Sequence, residues 1–123
     1  MSFKEFLLED SDENLNQLLQ TMSKNWEKDG VKSFMYAKNG DITLSEIRIA
    51  KENRGKGLGT LKMKELLQFA QEKGLRILLT PSKDFGASSK SRLEKFYKRF
   101  GFKKNSGRSK DFTTQETMIW TPQ

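Results

Sequence analysis

The chain has 123 residues, 34% hydrophobic and 32% charged, which fits one domain over residues 1–123 with room for a core that needs no staples. Cysteine and histidine are both absent, which excludes disulfides, thiolate nucleophiles, Cys- or His-bound metals and every Ser-His-Asp or Cys-His device; proton transfer falls to Glu, Asp, Tyr, Lys, water or a bound ligand. The net charge of +7 is lopsided, with seven acids against three bases in the first thirty residues and ten bases against two acids from Lys83 to Lys110, so one end attracts anions such as nucleotide phosphate, nucleic acid or an acidic protein.

Phe3 to Leu8 is a short apolar segment, strand or helix entry. No apolar run approaches the ~20 residues of a membrane span and MSFKEFLLED does not read as a signal peptide, so a soluble cytoplasmic protein is expected. Leu15, Leu18, Leu19, Met22 and Trp26 recur at helical spacing, with Ser11 or Asp12 as cap and Gly30 past the end. Asn39-Gly40 between alternating segments predicts a hairpin of Val31–Lys38 and Ile42–Ala50, because a type I′ turn needs positive φ at both central residues. The second strand changes phase: Ile42 and Leu44 share one parity, Ile47 and Ile49 the other. One core can take all four only with an extra residue near Ser45-Glu46, a β-bulge; a strand buried on both faces would give the same pattern without one.

Met63, Leu66, Leu67 and Ala70 form a helical stripe stopped by Gly74, and Leu75–Pro81 follows as the parallel strand of a βαβ unit. Beyond the polar loop SKDFGASSK, Leu93, Phe96, Tyr97 and Phe100 mark another helix, with Ser91 and Glu94 spaced as a capping box and Gly101-Phe102 as its stop. Glu116–Thr121 reads as a final strand.

Between the second strand and the second helix lies Arg54-Gly55-Lys56-Gly57-Leu58-Gly59. Three glycines in five positions let the backbone turn sharply and approach a ligand, and the free N–H groups of the following helical turn make an anion site. A tight turn carrying solvated basic residues is the plainer alternative. The Walker A pattern is absent, and the dinucleotide pattern fails at Thr60, where a third glycine belongs. What fits is R-x-x-G-x-G, and the stretch IRIAKENRGKGLGTLKMKELLQFA resembles the strand, pyrophosphate loop and helix of the GNAT N-acetyltransferase superfamily. Tyr97, Gly101 and Phe102 in KFYKRFGF stand where that family has its later Y-x-x-x-G-F element. The resemblance runs from about Ile42 to Phe102.

The resemblance implies a mixed α/β fold, a mostly antiparallel sheet with a splayed parallel pair at the cofactor cleft and helices on both faces. It implies acetyl-CoA as co-substrate and an amine as acceptor, by direct attack without metal or acyl-enzyme. The diphosphate would rest on backbone N–H groups of Gly57, Leu58, Gly59 and Thr60 with Arg54 and Lys56 near, and the cofactor arm would pair with the strand backbone at Ile47 and Ile49. Tyr97 takes the family's role of protonating the departing sulfur. For the base, Glu46 is the carboxylate in the body of the cleft strand, with Glu116 in reserve. Many members carry an asparagine before the tyrosine; SSKSR stands there instead, so Ser89 or Lys90 would substitute. The N-terminal half is short for the family, which leaves an open acceptor site suited to a protein amine. Three alternatives stay open: nucleic-acid binding by the basic stretch around Phe96, Tyr97, Phe100 and Phe102, cofactor binding without transferase activity, and modification of a nucleobase.

Overall fold

The computed structural model describes residues 11–81 and 90–123; the segment Phe3–Leu8 and the loop residues 82–89, Ser89 among them, lie outside these. Helix α1 (Asp12–Lys28) starts at Ser11, whose side chain accepts a hydrogen bond from the Asn14 N–H, so of the two candidate caps it is Ser11 that serves. Strands β1 (Val31–Lys38) and β2 (Asp41–Ile49) form the hairpin, with Asn39 at φ 53° and Gly40 at φ 84° as the turn demands. A short 3-10 turn (Lys51–Asn53) leads to α2 (Leu58–Lys73) and β3 (Arg76–Leu79). Helix α3 (Lys90–Arg99), β4 (Lys103–Lys104), a second 3-10 turn (Gly107–Ser109) and β5 (Met118–Trp120) complete the chain.

The sheet runs β1-β2-β3-β5-β4, with β2 and β3 parallel and every other pair antiparallel. Phe34 pairs with Glu46 and Met35 with Leu44, so Ser45 is the extra residue and the bulge lies where the phase change put it. Ile42, Leu44 and Ile47 are buried together as a result, and Ile49 packs against them.

Side chains alternate across a sheet, so parity tells which face each residue serves. Val31, Met35, Ala37, Ile42, Leu44, Ile47, Ile77, Leu79, Met118 and Trp120 share one face and one core cluster with Leu15, Leu19 and Trp26 of α1, Met63, Leu66 and Ala70 of α2, and Tyr97 of α3. Helices were expected on both faces; the three described ones all pack on this one. The reason is connective: α2 and α3 both link parallel strands while moving in one direction across the sheet, and right-handed crossovers then fall on one side. Trp26 Nε1 donates to Glu65 at 2.9 Å, joining α1 to α2 on that same side. No described helix is long and apolar enough to cross a membrane.

Two polar devices lock the frame. Asn16 donates to the Ala37 carbonyl (3.0 Å) and accepts from its N–H (2.7 Å), standing in for a neighbouring strand at the β1 edge. Arg76, opening β3, donates through Nε and Nη2 to both oxygens of Asp41 (2.7 and 3.0 Å) and through Nη1 to Asp111 (2.8 Å). Asp111 also accepts from the Thr113 hydroxyl and N–H, and Asn105 donates to the Asp111 and Glu116 carbonyls, so residues 105–116 are drawn into one folded loop. The boundaries differ from those the sequence suggests: β2 runs Asp41–Ile49 instead of Ile42–Ala50, β3 runs Arg76–Leu79 instead of Leu75–Pro81, and α3, β5 and β4 depart further. Lys90 and Ser91 already lie inside α3, so Ser91 is no cap; the last strand shrinks to Met118–Trp120; and β4, two lysines long, carries no hydrophobic signal at all.

Asn16→Ala leaves both main-chain groups of Ala37 without their partner, and the expected cost in a urea titration is about 1–3 kcal/mol. The Thr113 hydrogen bonds, then Arg76, hold the Asp111 carboxyl down to about 2. Its folded value lies below its unfolded one, so its contribution is present above pH ~4 and lost as pH falls toward 2. Thermal melts of Asp111→Asn should therefore show a shallower fall with acid than the parent over that window.

Candidate functional site

The site forms where β2 outruns its neighbour. The last parallel pair is Leu44 with Leu79; beyond it β3 ends, while β2 continues from Ser45 to Ile49 with no described strand on that side. Asn16 fixes which backbone groups face the gap. Because it takes both main-chain groups of Ala37, those point away from β2, and in an antiparallel ladder their opposite residue Ile42 then points away from β1. Counting through the register and past the bulge, Ile47 (opposite Ser33) and Ile49 (opposite Val31) also turn their N–H and C=O groups toward the gap. The Ile49 carbonyl is engaged by Arg54, whose Nε donates to it at 3.0 Å.

The loop that follows is shaped by conformation. Gly55 (φ 80°) and Gly57 (φ 76°) are left-handed, and a Cβ built on either meets no described atom within 4 Å. Glycine is needed there for the turn, and the space beside it is open. Gly59 differs: its φ is ordinary, and a Cβ would touch Ile49 Cδ1 at 3.4 Å and Phe96 Cζ at 3.6 Å. It sits where β2, α2 and α3 meet. Gly57 caps α2, and the first helical bond runs from the Leu61 N–H to the Gly57 carbonyl at 3.1 Å. The N–H groups of Leu58, Gly59 and Thr60 come before that bond and have no carbonyl one turn back. No acid stands in the first turn of α2, and Lys56 and Arg54 are exposed beside it. Free donors, a helix dipole and two cations together favour a multiply charged anion. A cavity of about 390 Å³ flanks the loop, with Lys32, Arg48, Lys51 and Arg54 on its walls against one acid, Glu27.

Tyr97 is 1% exposed, its ring edge-on to Phe96 (5.3 Å) and Phe102 (5.6 Å). Burial pushes its phenol above the ordinary value, so it is a neutral hydrogen-bond donor throughout the physiological range. Phe96 joins Tyr97 to the Gly59 corner. Glu46 lies on the opposite, helix-free face beside Phe34 and is half exposed, its Oε1 3.1 Å from Arg48 Nε. Lys90 is the exposed first residue of α3.

One feature escaped sequence reasoning. On the helix-free face lies a cavity of about 580 Å³, with Thr43, Leu78, Arg76, Tyr36 and Glu116 among its lining residues. Arg76 on its wall bonds Asp41 and Asp111, each 35 residues away in sequence. The only local trace of it is Asp111-x-Thr113, a spacing that suits a side chain bonding the backbone two residues on.

Known proteins bear on this geometry. Among solved structures, that of the ribosomal-protein-S18-alanine N-acetyltransferase from Escherichia coli matches with a TM-score of 0.54 at 16% identity, over 75% of this chain and 61% of that one. The chain thus spans less than two thirds of that enzyme's length, and the likeness is one of fold. Ard1 from Thermoplasma volcanium matches with a TM-score of 0.49 at 14% identity, over 87% of this chain and 79% of that one. A search of curated protein sequences finds no match. Residues 25–104 match the model of the acetyltransferase (GNAT) domain, which takes in the hairpin, the glycine loop and the tyrosine helix. That match covers more than half of the sequence, and the chain belongs to the GNAT acetyltransferase family.

Proposed function

We propose that the chain transfers an acetyl group from acetyl-coenzyme A to a primary amine by direct attack, with a protein or peptide amine as acceptor. The observation that carries this reading is the pairing of two features in a GNAT-domain chain: N–H groups at Leu58–Thr60 with no described main-chain partner, and backbone at Ile47 and Ile49 that no described strand pairs on the gap side, the Ile49 carbonyl being held by Arg54. The diphosphate rests on the N–H groups of Gly57, Leu58, Gly59 and Thr60 with Arg54 and Lys56 beside it. The amide-bearing arm adds along β2 as a strand would. Lys90 is the available polar group on α3 for the arm; Ser89 remains its alternative by sequence position alone. The neighbouring E. coli structure is named for acetylating a protein's alanine, which supports a polypeptide acceptor.

The chemistry sets two proton demands. Baring the lone pair of an alkylammonium of pKa ~10.4 at pH 7 costs about 4.6 kcal/mol, whereas releasing a thiol of pKa ~8.5 as thiolate costs about 2 kcal/mol. The acceptor is the harder problem, and a carboxylate at the cleft has to meet it, Glu46 on β2 or Glu116 ahead of β5. Tyr97 answers the easier problem. A phenol is a weaker acid than a thiol even in water, and burial weakens it further. Net transfer of its proton to the sulfur is therefore uphill, and Tyr97 acts by donating a hydrogen bond to the departing thiolate.

Calorimetric titration with acetyl-coenzyme A tests the donor half, with saturable binding expected; no heat and no thermal stabilisation would sink the reading. Mass spectrometry of a cell lysate incubated with labelled acetyl-coenzyme A and the protein then finds the acceptor. Gly57→Ala should weaken coenzyme binding at least tenfold and cost about 1–2 kcal/mol of stability through its left-handed φ. Gly59→Ala meets ordinary contacts and should leave the melting temperature nearly unchanged. Tyr97→Phe keeps the packing and removes one donor, so turnover should fall tenfold or more while the coenzyme's dissociation constant holds; unchanged turnover removes Tyr97 from the mechanism.

A further inference from the structure

The helix-free face of the sheet holds the cavity of about 580 Å³ that the donor half leaves unused. Two acids line it, and they differ in what they already hold. Asp41 is gripped through both oxygens by Arg76. Glu116 has a neutral partner, the Thr80 hydroxyl, which donates to its Oε2 at 2.5 Å. That hydroxyl oxygen accepts from the Thr117 N–H at 3.1 Å, so its single proton is directed at the carboxylate. Among the described residues no lysine or arginine pairs with Glu116. Thr80 directly follows Leu79, the last residue of β3 paired with β2. Glu116 is therefore tethered at the point where the two strands part.

Glu46 stands on the far side of the same opening, two residues past Leu44, and its carboxylate already carries Arg48. An incoming ammonium meets an ion pair there and, at Glu116, a carboxylate that no described lysine or arginine pairs with, Lys38 being the cation of the same cavity that no described acid holds. The coenzyme loop and Phe96 approach the gap from the helix side, so the helix-free face is the side left for a second substrate.

We propose that Glu116, aimed by Thr80, binds the acceptor's ammonium group and takes its proton. The inference rests on the acetyl-transfer reading and moves the base from β2 to the segment entering β5. The ammonium gives one proton to Glu116, which passes it to solvent. The freed lone pair attacks the thioester carbonyl carbon, the C–N bond forms, and the carbonyl electrons move to oxygen. Collapse breaks the C–S bond and the pair leaves on sulfur. The nitrogen's second proton reaches the thiolate through solvent, giving amide, free thiol and one released proton. The Asn105 and Asp111 bonds hold the backbone that presents Glu116, so the carboxylate is fixed before the acceptor arrives.

The experiment uses the full chain, acetyl-coenzyme A, and a mixture of short peptides bearing free amino termini and lysines, read by thiol release and by the mass of the products. Glu116→Gln should lower kcat/KM for the peptides 10²–10⁴-fold while the dissociation constant for acetyl-coenzyme A is unchanged. Its rate should climb about tenfold per pH unit toward the amine's own pKa, where solvent replaces the missing base and the gap to the parent closes. Thr80→Val, which keeps the carboxylate and loses its guide, should show a smaller loss and rescues the test if Glu116→Gln folds poorly. Parent-like kcat/KM and pH dependence in Glu116→Gln would overturn the assignment alone; failure of the unmutated chain to bind acetyl-coenzyme A or acetylate any peptide would overturn the acetyl-transfer reading beneath it.

Discussion

Backbone amides and carbonyls need partners, and from Ser45 to Ile49 strand β2 turns one edge to a gap that no described strand fills. The unsatisfied edge follows from the fold's connectivity. Strand β3 is short and ends at Leu79, while β2 has to run on to deliver the chain to the glycine loop. The inserted residue at Ser45 makes this tolerable: it returns Ile47 and Ile49 to the core face, so β2 stays anchored by its side chains while one side of its backbone is left open. A ligand with amide groups along its length and a charged end suits such an edge, because the strand supplies the hydrogen bonds and the helix terminus the charge.

The frame around this opening is stiff where it has to be. Asn16 occupies both main-chain groups of Ala37, at the end of the β1 edge nearest the hairpin turn. Arg76 ties the beginnings of β2 and β3 together through Asp41, which keeps the strands in register up to Leu44 and Leu79 and confines their parting to the far end. The same guanidinium reaches Asp111 and closes the 105–116 loop over the helix-free face. One arginine thus sets where the cleft opens and shapes the wall facing it.

What the sequence made legible was what depends on near neighbours. The Asn39-Gly40 turn, the three helical stripes, the Gly74 stop and the bulge follow from φ requirements and side-chain periods that act over a few residues, and each lies where the pattern put it. The glycine loop was legible for the same reason, since two of its glycines are conformational necessities. The features that slipped are long-range or weak. Nothing local joins Arg76 to Asp41 and Asp111, and two lysines pairing with β5 as β4 have no apolar pattern to announce them. The Ser91–Glu94 spacing satisfied the capping rule while the helix had already begun at Lys90, because the rule reads side-chain types and cannot see where the preceding backbone turns.

On the acetyl-transfer reading, the two reactants carry opposite charges, and the cleft has to handle both. A polyanionic coenzyme and a cationic acceptor attract each other, and a single shared mouth would let the amine pair with phosphate far from the thioester. Here the cations Lys56, Arg54, Lys51, Lys32 and Arg48 gather around the loop and its flanking cavity against the acid Glu27, whereas the other cavity sets Asp41 and Glu116 against Arg76 and Lys38, with Arg76 held by Asp41 and Asp111. On the acetyl-transfer reading, the coenzyme's phosphates are drawn to the loop end of β2, and the second cavity, where acids and bases balance, leaves the amine to the Glu116 carboxylate. The gap from Ser45 to Ile49 sets the length of backbone that a linear, amide-bearing arm would meet on that reading, so the extent of β2 beyond β3 limits which donor fits.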